Sequence, residues 1–312
     1  MTDFPSIAIS TETLLSKSKF FVAKGLARRS AGDLEEYQLW ASLALELLGK
    51  AALAKVHPSL VVDPNHSPSL FVAAGVSVTT DVKTIIAKTI FERLKQLVSG
   101  FDESVRQFCQ DISERRNAEL HSGDLPFRTM KVEAWEARYW HACDIILSSM
   151  ELSLQDWVGD EQAADAKRTL DMDREKKRLI VLVKIERSRK AFMERPQAAR
   201  EKAREESRDK EHYHFPDLFV WANEHEWEAE CPVCSSKGFF GGDQIHEEIT
   251  ETGLGFDLWE SVERDFRADE YHCPVCDLHL IGQQEVSDAG LPLEHSDMEE
   301  RRLDYEPDYG NC

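Results

Sequence analysis

Two groups of residues in this 312-residue sequence carry chemistry by type and spacing. The first lies in Glu114-Arg115-Arg116-Asn117-Ala118-Glu119-Leu120-His121-Ser122-Gly123. Arg116 keeps its positive charge at every working pH, and His121 exchanges a proton near neutrality. Beside a phosphodiester, those two groups suffice for RNA cleavage without a metal: the guanidinium offsets charge on the phosphorane and the imidazole moves the proton. Asn117, directly after the arginine, can orient a phosphate or the histidine. The second group is Cys231-Pro-Val-Cys234 and Cys273-Pro-Val-Cys276, with 38 residues between the pairs. Each pair forms a knuckle that aims two thiolates at one ion, and four soft sulfurs suit tetrahedral Zn2+. Four cysteines leave no open position for water, so this zinc is expected to be structural, one ion per chain.

Spacing alone does not single out Arg116 and His121. The sequence holds 21 Arg and 11 His, for which chance supplies about one Arg-x4-His pair. Arg267 and His272 form another such pair, and Arg208 to His214 a looser one. Position in a helix separates them. Val105, Phe108, Cys109 and Ile112 make an apolar stripe with steps of three and four, and Arg116 is the next position on it. A charge that continues a buried face needs a partner, a second subunit or a substrate. Gly123 is expected to stop the helix, leaving His121 in the last turn. Substituting either residue at such a helix end should spare the fold.

The elements that must position these residues read as mainly helical. Helices are expected over 11–29, from a cap at Asp33 to the residues before Pro58, from Thr80-Asp81 through Leu97, from Asp102 to the motif, and over 129–157. Tyr37 and Trp40 read as core. Pro58, Pro64, Pro68 and Gly75 mark 57–80 as a long loop in which His57 and His66 take surface roles. Together, residues 1–158 read as an up-and-down helical bundle. Residues 159–210 form a charged helical linker that Pro196 should break. Residues 211–282, with strand-like runs 244–250 and 258–266 between the cysteine pairs, read as a small β-rich zinc ribbon. There the metal would hold a domain too poor in apolar residues to fold alone. His272 and His279 are spare ligands beside a full cysteine set. Residues 283–312 are acidic, dotted with Pro and Gly, and read as a flexible tail.

The Arg-Asn-x3-His pattern resembles that of the HEPN superfamily of small helical proteins. Glu46-Leu47-Leu48-Gly49-Lys50-Ala51 is similar to that family's early core helix, and the resemblance covers about residues 10–157. It implies a HEPN-type, metal-independent endoribonuclease with Arg116, Asn117 and His121 in the catalytic site. It also implies a homodimer with a composite active site to which each subunit contributes Arg and His. The RNA substrate would be tRNA or mRNA, and products would carry a 2′,3′-cyclic phosphate or 3′-phosphate and a 5′-OH. By analogy with the family, the setting would be bacterial antiphage defence or a toxin system. The zinc ribbon would then be a sensing module for a phage or host protein trigger. The alternative is a non-catalytic HEPN module that binds RNA or nucleotide, or regulates through protein contacts.

Charge divides these roles. The net charge of −20 resolves into −3 over residues 1–158, +4 over 159–210 and −21 over 211–312. The acidic third is thus a poor grip for a phosphate backbone and suits a protein or basic partner. No apolar run approaches a membrane span and no signal-peptide pattern opens the sequence, so the expected compartment is cytoplasmic. Cys109 and Cys143 fall on helical apolar stripes and read as buried thiols, and Cys312 carries no reading.

Overall fold

The computed structural model describes residues 7–215, 217–252 and 259–302; Cys312 and Leu258 lie outside them. The chain divides into two compact units, 1–175 and 176–312. The division falls inside one helix rather than in a loop.

Unit 1 is helical: α1 (Thr11–Ser30), α2 (Leu34–Val56), α3 (Ser67–Ala73), α4 (Ala87–Leu97), α5 (Glu103–His121), α6 (Pro126–Thr129), α7 (Glu136–Ser149), α8 (Leu154–Val158) and the first part of α9 (Asp160–Met193). The hub is α2, which packs against α1, α4, α5, α6 and α7. It is apolar nearly all round, as a fully enclosed helix must be, with Ala41, Ala44, Leu45, Leu48, Ala51 and Leu53 buried. Small residues let the neighbours close in. A Cβ on Gly49 would stand 2.9 Å from Ile90 Cγ2 on α4. Around this hub runs a chain of aromatic rings, Tyr37 to Trp135 at 5.1 Å and Trp135 to Tyr139 at 5.5 Å. Tyr37 is fully buried, as expected of a core residue, whereas Trp40 is only half-buried, packed on Phe21 at 5.3 Å with the Lys24 ammonium over its ring. Cys109 and Cys143 are buried, and desolvation pushes both thiols above their ordinary range.

Several expected boundaries move. The 57–80 loop contains a 3-10 turn at Pro58–Leu60 and α3. The next helix starts at Ala87 rather than at Thr80-Asp81, because Thr84 pairs with Val62 in an isolated antiparallel bridge that holds the chain extended. The single helix expected over 129–157 is instead α7 and α8 with a break at Glu151, whose φ of 62° is left-handed.

Unit 2 overturns the expectation of a small zinc ribbon. After α9 and α10 (Gln197–Arg208), with Pro196 at the break, the chain forms a five-stranded antiparallel sheet. Its strands are β1 (His225–Glu230), β2 (Lys237–Thr252), β3 (Trp259–Cys273), β4 (Leu278–Ile281) and β5 (Glu294–Arg302), with α11 (Gln283–Asp288) before β5. β3 is the shared strand. It pairs with β2 along one edge, and on the other edge with β4 through residues 270–273 and with β5 through residues 259–267. Residues 283–302, expected to be a flexible tail, are therefore a helix and a strand in register with β3. The unit also has its own apolar core, including Val181, Phe192, Trp227, Phe240, Tyr271 and Leu280. It is not a core-poor domain dependent on a metal alone. Among the described residues, no helix is long and apolar enough to cross a membrane.

Candidate functional site

The sequence-predicted residues lie in separate units. In unit 1, Asp102 caps α5 by accepting from Val105 N at 2.8 Å. The stripe Val105, Phe108, Cys109 and Ile112 is buried, and Arg116 continues it with only 8% of its surface exposed. The helix ends where expected, at His121 with Ser122 as its cap, but not by a left-handed glycine. The Ser122 N–H and hydroxyl both donate to Ala118 O, at 2.9 and 2.8 Å, and Ser122 leaves in an extended conformation. Gly123 is not left-handed. His121 is the last residue of α5 and is exposed.

Arg116 has a partner within its own chain. Its Nη1 donates to Glu46 Oε2, while Nη2 and Nε donate to Asn117 Oδ1 at 2.9 and 3.2 Å. Glu46 is the acidic end of the upstream stretch 46–51 singled out in the sequence. Its Oε1 accepts from Lys50 Nζ at 2.9 Å, and Lys50 also donates to Thr84 Oγ1 at 3.1 Å. The two stretches noted in the sequence thus meet in one network between α2 and α5. Burial alone would raise the Glu46 carboxyl, but Lys50 and Arg116 outweigh it and hold the group below the usual carboxylate range. One carboxylate against two cations leaves the trio with a formal net charge of +1. The burial corrects the expectation that Arg116 can be substituted without structural cost. His121, exposed and outside this network, keeps that expectation.

Along a helix, Asn117 and His121 stand four residues apart and share a face, whereas Arg116 points about 140° from His121. Asn117 therefore links the buried guanidinium to the exposed face that carries the histidine. Sequence reading saw that Arg116 needed a partner and noted Glu46 and Lys50, but not that they meet; no local pattern joins positions 70 residues apart. Arg267 and His272 make no such pair. Arg267 bonds Glu294 at 2.7 Å, and His272 bonds Leu218 O at 2.6 Å. His57 and His66 bond Ser59 and Ser69 locally.

In unit 2, the four cysteines converge because the register aligns two hairpins. Phe239 opposite His272 sets the β1–β2 turn beside the β3–β4 turn. Both turns have the same build. Ser235 N donates to Cys231 O at 2.9 Å, and Asp277 N to Cys273 O at 2.8 Å. Ser235 and Asp277, each just past the second cysteine, are left-handed at φ 54° and 60°. Cys231, Cys234, Cys273 and Cys276 are buried, and their sulfurs all lie within 4.8 Å of one another. Cys231 to Cys276 and Cys234 to Cys273 are each 3.5 Å. That is far beyond a disulfide bond, about 2.05 Å. It is close to the ~3.8 Å between sulfurs arranged tetrahedrally around an ion ~2.3 Å from each. The cluster also pulls protons unevenly: hydrogen bonds from Cys231, Cys273 and Cys276 draw Cys234 well below the thiol range. These four residues could hold a metal ion. His272 and His279 do not join them. His279 bonds the buried Glu270, which also accepts from Val220 N at 2.8 Å and braces the strands behind the knuckles.

Comparison with protein-family models, curated proteins and solved structures finds no match to this chain.

Proposed function

We propose that unit 1 is a metal-independent endoribonuclease of the HEPN type, with His121 as the proton carrier, Arg116 as the fixed charge and Asn117 as the orienting amide. One observation carries this reading: Glu46, Arg116 and Asn117 form a continuous hydrogen-bonded chain from the buried face of α5 to the exposed face that ends in His121. Catalytic groups need such fixing, because electrostatic stabilisation works only from donors already in place. The angle between Arg116 and His121 along α5 argues for a composite site in a homodimer, with one subunit's histidine completing the other's arginine. In the same proposal the four cysteines hold one structural Zn2+, and unit 2 regulates the nuclease by binding a protein.

The test is cleavage of tRNA and mRNA by the full-length protein in EDTA. His121→Ala is the decisive variant, because its side chain is exposed. It should lower the rate by about 10²–10⁴ with folding unchanged. Arg116→Ala should cost about 10²–10³ in rate, with some loss of stability. Products should end in 2′,3′-cyclic phosphate. A specific observation favours the second reading, a non-catalytic RNA- or protein-binding module: Arg116 already commits three of its five N–H donors to Glu46 and Asn117. Cleavage undiminished in His121→Ala, or no cleavage by the wild-type dimer, supports that reading instead.

A further inference from the structure

A second cluster of ligating groups lies on the sheet of unit 2, away from the cysteines. His225 opens β1, and His295 and Asp297 stand two residues apart on β5, so the strand pleat puts them on one face. β1 and β5 are not hydrogen-bonded neighbours, yet the three side chains converge. His225 Nε2 is 2.8 Å from Asp297 Oδ2, and His295 Nε2 is 3.1 Å from Asp297 Oδ1. The ligand atoms of all three lie within 4.8 Å of one another.

We propose that His225, His295 and Asp297 form a second metal site, for a divalent first-row transition ion, with a coordination position open to solvent. Two imidazoles and one carboxylate are the donor set that zinc and iron take when a site keeps room for water or another ligand. The imidazoles are set in place by packing. The His225 ring lies on Phe266 at 4.0 Å and the His295 ring on Trp227 at 5.2 Å, nearly parallel in both cases. A simple hydrogen bond to a carboxylate does not require that degree of fixing, whereas a multidentate site gains affinity from it. The carboxylate also lacks the cation its register would supply. Arg264, opposite Asp297 on β3, is committed to Glu247 and Glu299. The side chains remain 30–47% exposed, so an ion has a path in and a free face on arrival. An ion about 2.1 Å from each tetrahedral ligand would space those ligands ~3.4 Å apart. The present contacts, 2.8 Å to Asp297 Oδ2 and 3.1 Å to Asp297 Oδ1 with no pair of ligand atoms beyond 4.8 Å, bracket that value. The surrounding charge of −21 over residues 211–312 adds attraction for a cation.

The test counts zinc in tag-free, full-length protein equilibrated with micromolar Zn2+. Two ions per chain are expected in wild type. One is expected in His225→Ala, in His295→Ala and in Asp297→Asn, which keeps the side-chain volume if either histidine variant fails to fold. Cobalt substitution places the ions. The first equivalent should bring the intense thiolate charge-transfer absorption of a cysteine site, and the second only weak ligand-field bands that vanish in the variants. A single zinc at saturation in wild type overturns the proposal. So does retention of two ions in folded Asp297→Asn, or thiolate absorption growing with the second equivalent.

Discussion

The Arg116 network and the cysteine cluster are both buried groups of polar atoms, but they are supported in opposite ways. Arg116, Glu46 and Lys50 sit on helices already fixed by apolar packing around α2, and the one carboxylate finds its counter-charges within the chain. The cysteines sit on two hairpin turns, where their sulfurs, once deprotonated, would repel one another unless a cation lay among them. The first cluster is placed by the fold, while the second should help to make the fold. Buried polarity is therefore not one kind of feature. What matters is whether the neutralising charge comes from the chain or from solution.

If, as proposed, the cysteines hold an ion, the strongest way to break this comparison is to take it away. Chelation, or Cys273→Ser, should remove a binding free energy of about 10 kcal/mol or more from unit 2 while leaving unit 1 folded. Hydrogen exchange would read it: amides of β1 to β4 should lose protection and those of α2 and α5 should keep it. Unchanged protection in both units would mean that the apolar core around Phe240 and Tyr271 holds the sheet alone. Next in size is Glu46→Ala, which strands Arg116 and Lys50 together and should cost about 3–5 kcal/mol in chemical denaturation. Arg116→Ala should cost less, about 1–3 kcal/mol, because Lys50 still pairs with Glu46. Equal costs for the two would show that Lys50 does not share the load.

Acid should separate the clusters in sequence. In the proposed metal site the thiolates would take up protons and release the ion first, so unit 2 should loosen at the higher pH. Glu46 has a folded pKa below its unfolded one, so its contribution is complete above the unfolded value, about 4.3, and fades as pH falls through the lower folded value. Unit 1 melting should therefore hold steady to about pH 4.3 and decline below it. A decline beginning near pH 6 would assign the loss to another group. The smallest expected effect is His121→Ala, within about 0.5 kcal/mol, since the residue is exposed at a helix end.

What could be read from the sequence follows the same division. Cys231-x-x-Cys234 and its repeat were legible because a knuckle is local chemistry, and α2 and α5 were legible because their caps and stripes are local. The partner of Arg116 was legible only as a need. β5 was missed for a different reason. Its residues Glu294 to Arg302 bury little apolar surface, so hydrophobic alternation says nothing about them. The strand is held to its neighbours by charge pairs instead: Arg267 with Glu294, Arg264 with Glu299, Arg301 with Glu260 and Glu247. Composition read those carboxylates as the mark of a flexible tail, and with them His295 and Asp297 were lost from view. The ribbon expectation failed likewise, because β2 and β3 extend well past the cysteine knuckles through polar residues.

The acidic strands also bear on how copies of this chain meet in solution. β5 pairs only with β3, and β2 beyond Gly242 has no partner but β3, so among the described residues both present an outer rim of backbone donors and acceptors. Such rims recruit strands from other molecules and start aggregates. Beyond the carboxylates already paired with Arg264, Arg267 and Arg301, they carry Asp297 and Glu300 on one side and Glu248 and Glu251 on the other. Any copy approaching edge to edge brings the same charges with it. The acidity of the C-terminal third thus acts as a colloidal guard on an open sheet, strongest at low ionic strength and weakened as salt screens it.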